Sequence, residues 1–132
     1  MIGLVLLAHG QLAAEMLRTA EMIIGPIAKC RAIAIERHMA PDLCATRLGA
    51  ALNEVGSDGD GVLILTDMFG GTPTNIAADF LLPPEVDILA GFNLPLVLKA
   101  VSARQQMALV ELADFLVDYA DKTVMRPATL LK

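Results

Sequence analysis

Ile2-Gly3-Leu4-Val5-Leu6-Leu7-Ala8-His9-Gly10 is the stretch that decides the fold. It is uncharged and aliphatic without alternation up to His9, the pattern of a strand covered on both faces in a parallel sheet. Gln11 to Ile24 then runs free of Gly and Pro, with Leu12, Met16, Ala20, Ile23 and Ile24 repeating at helical spacing. A strand that passes directly into a helix delivers its last residue to the carboxyl edge of the sheet. Reacting groups and ligands in open α/β sheets gather at that edge. His9 stands there.

Working outward, the same alternation continues to the end of the chain. Gly25-Pro26 stops the first helix, and Ala32-Ile33-Ala34-Ile35 reads as a second strand followed by a polar loop over Glu36 to Ala40. Pro41 opens a second helix, with Leu43, Leu48, Ala51, Leu52 and Val55 facing inward, and Gly56-Ser57-Asp58-Gly59-Asp60 ends it. Gly61-Val62-Leu63-Ile64-Leu65-Thr66 is another buried strand, and it leads into Asp67-Met68-Phe69-Gly70-Gly71-Thr72-Pro73-Thr74-Asn75. A helix is expected from Pro73, capped by Thr72, to near Leu82, where Pro83-Pro84 halts it. Val86 to Ala90 reads as a fourth strand, and helices follow from near Pro95 and over Leu109 to Tyr119. Thr123 to Pro127 reads as a short edge strand broken by its proline. The fold class is α/β: an open, mainly parallel sheet with helices on both faces, formed as one domain over residues 1–132.

Composition narrows the function. Apolar residues make up 55% of the chain, but aromatics only 4%, with no Trp and a net charge of −5. Nucleic-acid surfaces need basic charge and exposed rings, so no nucleic-acid partner is expected. No uncharged apolar run approaches the ~20 residues of a membrane span, and the opening run lacks the basic flank of a signal peptide. Cys30 and Cys44 match neither a metal spacing nor a CxxC motif. Two reduced cysteines suit a cytoplasmic protein.

The candidate chemistry centres on His9 and Asp67. A neutral imidazole is nucleophilic near pH 7, and a carboxylate accepting from Nδ1–H would leave the Nε2 lone pair free. Asp67 leaves the end of a strand that can lie beside the first. Gly10 and the helix start after it, with Gly70, Gly71 and Thr72, are the candidate phosphate-binding positions, because helix starts and glycine-rich turns present backbone amides to anions. Residue by residue the alternatives stay open. A lone histidine at a strand end is most often structural, and Asp67 can be a turn or capping residue. Gly70-Gly71-Thr72 lacks the spacing and lysine of a Walker loop. His38, in a polar loop, reads as a surface residue. No metal site and no cofactor are expected, since a metal-dependent hydrolase needs about three clustered ligands.

The chain resembles the IIA domain of the mannose family of the phosphoenolpyruvate-dependent sugar phosphotransferase system. The resemblance rests on Ala8-His9-Gly10, on Thr19 to Gly25, on the block Gly61 to Asn75, and on Ala90-Gly91-Phe92-Asn93-Leu94-Pro95. It implies a phosphotransferase in which His9 takes a phosphoryl group from HPr and passes it to a IIB domain, with Asp67 holding the ring. It also implies a homodimer that exchanges a C-terminal antiparallel strand, for which Thr123 to Pro127 is the candidate. Many members continue through an Ala/Pro-rich linker into an attached IIB domain. This sequence stops at Lys132, so the IIB acceptor is expected as a separate protein. A regulatory phosphoprotein and a phosphoryl donor to a dihydroxyacetone kinase are the competing readings, and the chemistry at His9 is shared by the regulatory one.

Overall fold

The computed structural model describes residues 1–131. β1 (Gly3–His9), β2 (Cys30–Ile35), β3 (Val62–Thr66) and β4 (Val86–Ala90) form one sheet in the order β2-β1-β3-β4, and every pairing is parallel. Helices α1 (Leu12–Ile24), α2 (Pro41–Val55), α3 (Thr72–Ala78), α4 (Leu94–Ala103) and α5 (Leu109–Ala120) connect and follow the strands. In β1 every residue before His9 is buried, which explains the unbroken aliphatic run. Side chains alternate across the pleat, and the two faces meet different helices. Leu4, Leu6 and Ala8 join Leu63, Leu65 and Leu89 under α1, α4 and α5. Val5 and Leu7 join Ile33, Ile35 and Ile64 under α2 and α3.

Strand order positions the site. From β1 the chain moves outward to β2, then returns to place β3 on the other side of β1. The connections therefore diverge between the carboxyl ends of β1 and β3, the switch point where open α/β sheets leave a crevice. His9 ends one of these strands, and Asp67 follows the other.

The amino edge is fastened by a residue the sequence reading does not single out. Arg104, only 3% exposed, donates from Nη1 to the carbonyls of Ile2 and Lys29 (both 3.2 Å) and from Nη2 to Ala28 (2.6 Å). These bonds tie the start of β1 to the turn that enters β2. A buried acceptor left unpaired costs about 1–3 kcal/mol, so this arginine is part of the fold's stability rather than of its chemistry.

Several expectations are corrected. The edge strand over Thr123–Pro127 does not form within the chain. Thr123 turns its N–H (3.0 Å) and its Oγ1 (2.7 Å) back onto Ala120 O to close α5. Pro127 then opens a single helical turn, α6 (Pro127–Leu130), leaving Val124, Met125 and Arg126 exposed between the two. α3 ends at Ala78, short of Leu82, because Leu82 turns to pair with Val86. Its cap is Gly71, whose carbonyl accepts the Asn75 N–H at 3.0 Å, and Thr72 is the first helical residue. Leu43 of α2 is exposed rather than inward, and of the helically spaced apolar residues of α1, Leu12, Ile23 and Ile24 are exposed. Leu48, Ala51 and Val55 of α2 are buried as expected, joined by Cys44, and α1 buries Ala13 and Ala20.

Candidate active site

His9 and Asp67 meet at the switch point. His9 Nδ1 lies 2.8 Å from Asp67 Oδ2, and the same oxygen accepts the His9 backbone N–H at 3.1 Å. One carboxylate oxygen thus fixes the ring relative to its own main chain. The histidine side chain keeps half of its surface exposed, while that of Asp67 is 11% exposed. Burial pushes the Asp67 carboxyl upward, but hydrogen bonds from the His9 ring and backbone outweigh it and leave the pKa below its ordinary value. The group is therefore a carboxylate at neutral pH. A carboxylate only accepts, so the proton shared with His9 sits on Nδ1; in the neutral form of the ring the lone pair is then on Nε2.

The surrounding turns shape this pair. Gly10, in the left-handed region at φ +57°, carries the chain from β1 into α1. Its N–H donates to Ile35 O at 3.0 Å, so the amide proposed from sequence for phosphate binding is already committed. Gln11 Nε2 donates to Glu36 Oε1 at 2.8 Å and ties the start of α1 to the loop after β2. Gly70 is also left-handed, at φ +86°, and exposed. Gly71 lies against the ring: a Cβ there would stand 2.9 Å from His9 Cε1 and 3.5 Å from Nε2. Any side chain at that position would press on the imidazole. Among the described residues the N–H groups of Gly70, Gly71 and Thr72 have no protein acceptor.

His38 remains apart, exposed in the turn after β2 at φ +67°. Two buried hydroxyls went unrecognised in the sequence. Thr66 Oγ1 is 2.6 Å from Thr74 Oγ1, which is 2.6 Å from the Met68 carbonyl oxygen. A threonine closing an aliphatic strand and another in the first turn of a helix were the only signals, and neither is specific. Among the described residues no three His, Cys, Asp or Glu side chains gather as a metal cluster, and no helix is long and apolar enough to cross a membrane.

The His9 ring is half exposed at the surface, with Asp67 largely buried behind it. A cavity of about 1270 Å³ opens elsewhere, at the amino edge between Asn53, Phe80 and Gln105. Beside His9 the prominent features are apolar and exposed: Met68 (53%) and Phe69 (84%). A half-exposed ring bordered by exposed apolar side chains has the form of a surface contact rather than of an enclosed small-molecule pocket.

Comparison with known proteins gives the family and the fold. The family model EIIA-man, described as PTS system fructose IIA component, matches residues 3–117. A fructose-specific EIIA component of the phosphotransferase system from Bacillus subtilis is 31% identical over 86% of this chain and 78% of its own length. The mannose-specific EIIAB component of Escherichia coli is 30% identical over 78% of this chain but only 32% of its own length. The crystal structure of the PTS IIA protein associated with the fucose utilization operon from Streptococcus pneumoniae superimposes with a TM-score of 0.85. That match has 27% identity and covers 98% of this chain and 96% of the other. The family match runs from β1 into α5 and contains both His9 and Asp67: the chain belongs to the EIIA-man family of phosphotransferase-system IIA components.

Proposed function

We propose that this protein is a cytoplasmic phosphoryl carrier in which His9 accepts a phosphoryl group from phospho-HPr and passes it to a separate IIB protein for sugar uptake. The observation that carries the reading is the 2.8 Å bond between His9 Nδ1 and Asp67 Oδ2 on a half-exposed ring. The Nε2 lone pair attacks phosphorus in line. The bond from phosphorus to the donor's leaving atom breaks and returns its electron pair to the donor. The Nδ1 proton stays in place, and the Asp67 carboxylate stabilises the positive charge that develops on the ring. Donation to IIB is the same displacement in reverse. Amides of Gly70, Gly71 and Thr72 supply unpaired donors for the transferring oxygens. One nitrogen faces donor and acceptor in turn, so both proteins use the same surface, bordered by Met68 and Phe69.

The test is a two-step relay. The protein is charged with phospho-HPr, separated from it, and mixed with IIB proteins one at a time. Phosphate should leave this chain and appear on one IIB protein within the mixing time. A label that hydrolyses to inorganic phosphate in every mixture contradicts the relay.

The same reading includes a homodimer. Val124, Met125, Leu130 and Leu131 are exposed, and β4 is an open sheet edge. Docking the tail as a strand on a partner's β4 would cover both liabilities. Sedimentation of a chain truncated after Lys122 should then give a monomer or aggregate where the parent gives a dimer. An unchanged dimer would place the interface elsewhere.

A further inference from the structure

Asp67 has little to hold it besides His9. Among the described residues its Oδ1 is buried without a hydrogen-bond partner, so the aim of Oδ2 is set by the backbone on either side. Both flanking carbonyls are pinned. The Thr66 carbonyl accepts the N–H groups of Gly91 (2.8 Å) and Phe92 (3.1 Å), which leave the end of β4. The Met68 carbonyl accepts from Thr74 Oγ1 at 2.6 Å.

The second anchor has a direction. A carbonyl oxygen only accepts, so the single hydroxyl proton of Thr74 goes to Met68. The 2.6 Å contact between Thr74 Oγ1 and Thr66 Oγ1 must then use the proton of Thr66. The chain runs from Thr66 to Thr74 to Met68, with Thr66 fully buried and Thr74 8% exposed. Movement of this loop reaches the ring twice, through Asp67 Oδ2 and through Gly71, whose missing Cβ would stand 2.9 Å from His9 Cε1.

We propose that Thr74 is a positioning residue for phosphoryl transfer: its hydroxyl, through the bond to the Met68 carbonyl, holds the Asp67–Gly71 loop so that Asp67 fixes the His9 ring. The kinetic consequence rests on the phosphoryl-acceptor reading of His9, while the effect on the ring does not. The two hydroxyls are unequal. Removing that of Thr74 releases the Met68 carbonyl and orphans the Thr66 proton. Removing that of Thr66 leaves the bond from Thr74 to Met68 intact.

The experiment compares Thr74→Val, Thr66→Val, the double variant and Thr74→Ser with the parent. Three quantities are read: the His9 ring nitrogen and Nδ1–H resonances, single-turnover uptake from phospho-HPr, and Tm. Thr74→Val should move the ring resonances and slow uptake about tenfold, within the range that small misplacements of a reacting group produce. Thr66→Val should leave resonances and rate close to the parent. Thr74→Ser should restore both. The double variant should recover part of the Tm lost by Thr74→Val, since no buried hydroxyl proton is orphaned, yet keep the displaced resonances. That split separates positioning from stability, and it can be read even where Thr74→Val alone folds poorly. Parent-like resonances in the double variant, or equal effects of Thr66→Val and Thr74→Val, would overturn the proposal. A parent protein that takes no phosphoryl group from HPr would defeat the transfer reading, and the ring resonances would still decide the role of Thr74.

Discussion

His9→Gln takes up no measurable phosphate from phospho-HPr while keeping its fold. Glutamine matches the reach of the imidazole and can still donate toward Asp67 Oδ2. Its amide nitrogen, however, has its lone pair delocalised into the carbonyl and cannot attack phosphorus at neutral pH. The substitution therefore removes the nucleophile and little else. The parent ring is half exposed and closes no core, so the stability change should fall within about 0.5–1.5 kcal/mol, the usual worth of a hydrogen bond. Intact mass after incubation should show the parent one phosphate heavier and the variant unchanged. A variant that still gains the phosphate, with the label on His38, would move the chemistry to the turn after β2.

Asp67→Asn should slow uptake by about 10²–10⁴-fold, the range found when a group that orients an imidazole or shares its proton is removed. The mechanism is a tautomer change. Where the carboxylate accepts from Nδ1–H at 2.8 Å, the amide can present an N–H to the same nitrogen. The ring proton then moves to Nε2, the atom that must attack. The lost charge would also have stabilised the ring cation formed during transfer. Single-turnover rates within about twofold of the parent, far below the effect of losing an orienting group, would remove Asp67 from the mechanism.

The same substitution has a pH signature in stability. Burial raises the Asp67 pKa, but the hydrogen bonds from His9 outweigh it, so the folded value lies below the ordinary one. A depressed carboxylate pKa contributes stability that is fully present above the unfolded pKa of about 3.9. That contribution disappears as pH falls through the folded value. Urea midpoints of parent and Asp67→Asn should differ at neutral pH and converge in acid. A gap that widens in acid would mean the opposite shift.

Much of the architecture was legible because it depends on local patterns. The uninterrupted aliphatic runs of β1 and β3 can only be covered on two faces, and Pro41 with the Gly56–Asp60 turn brackets α2 to the residue. The same reading put His9 and Asp67 at the carboxyl ends of two buried strands that can lie side by side, and the β1–β3 pairing makes them neighbours. What sequence could not give depends on partners distant in the chain. Arg104 reaches Ile2 and Ala28 across the sheet, and an arginine at a helix end reads as solvated until that contact is known. The Thr66–Thr74 bond joins a strand end to a helix whose approach is set by the turn between them. Thr123 to Pro127 failed for a different reason. Its β-branched residues favour a strand, but capping by Thr123 and the helical turn at Pro127 leave no extended run within the chain. Gly10 has the turn geometry expected of it, while its amide proton goes to Ile35, a partner 25 residues away that local pattern does not show.

The central claim is that Nε2 of His9 carries the phosphoryl group while Nδ1 keeps its proton for Asp67. The direct measurement is phosphorus and nitrogen NMR of ring-¹⁵N-labelled protein after charging with phospho-HPr. The account predicts one phosphoramidate, coupled to Nε2 of His9, with the Nδ1–H resonance still present and held by Asp67. A phosphorus signal coupled to Nδ1, or one arising from His38, would contradict it.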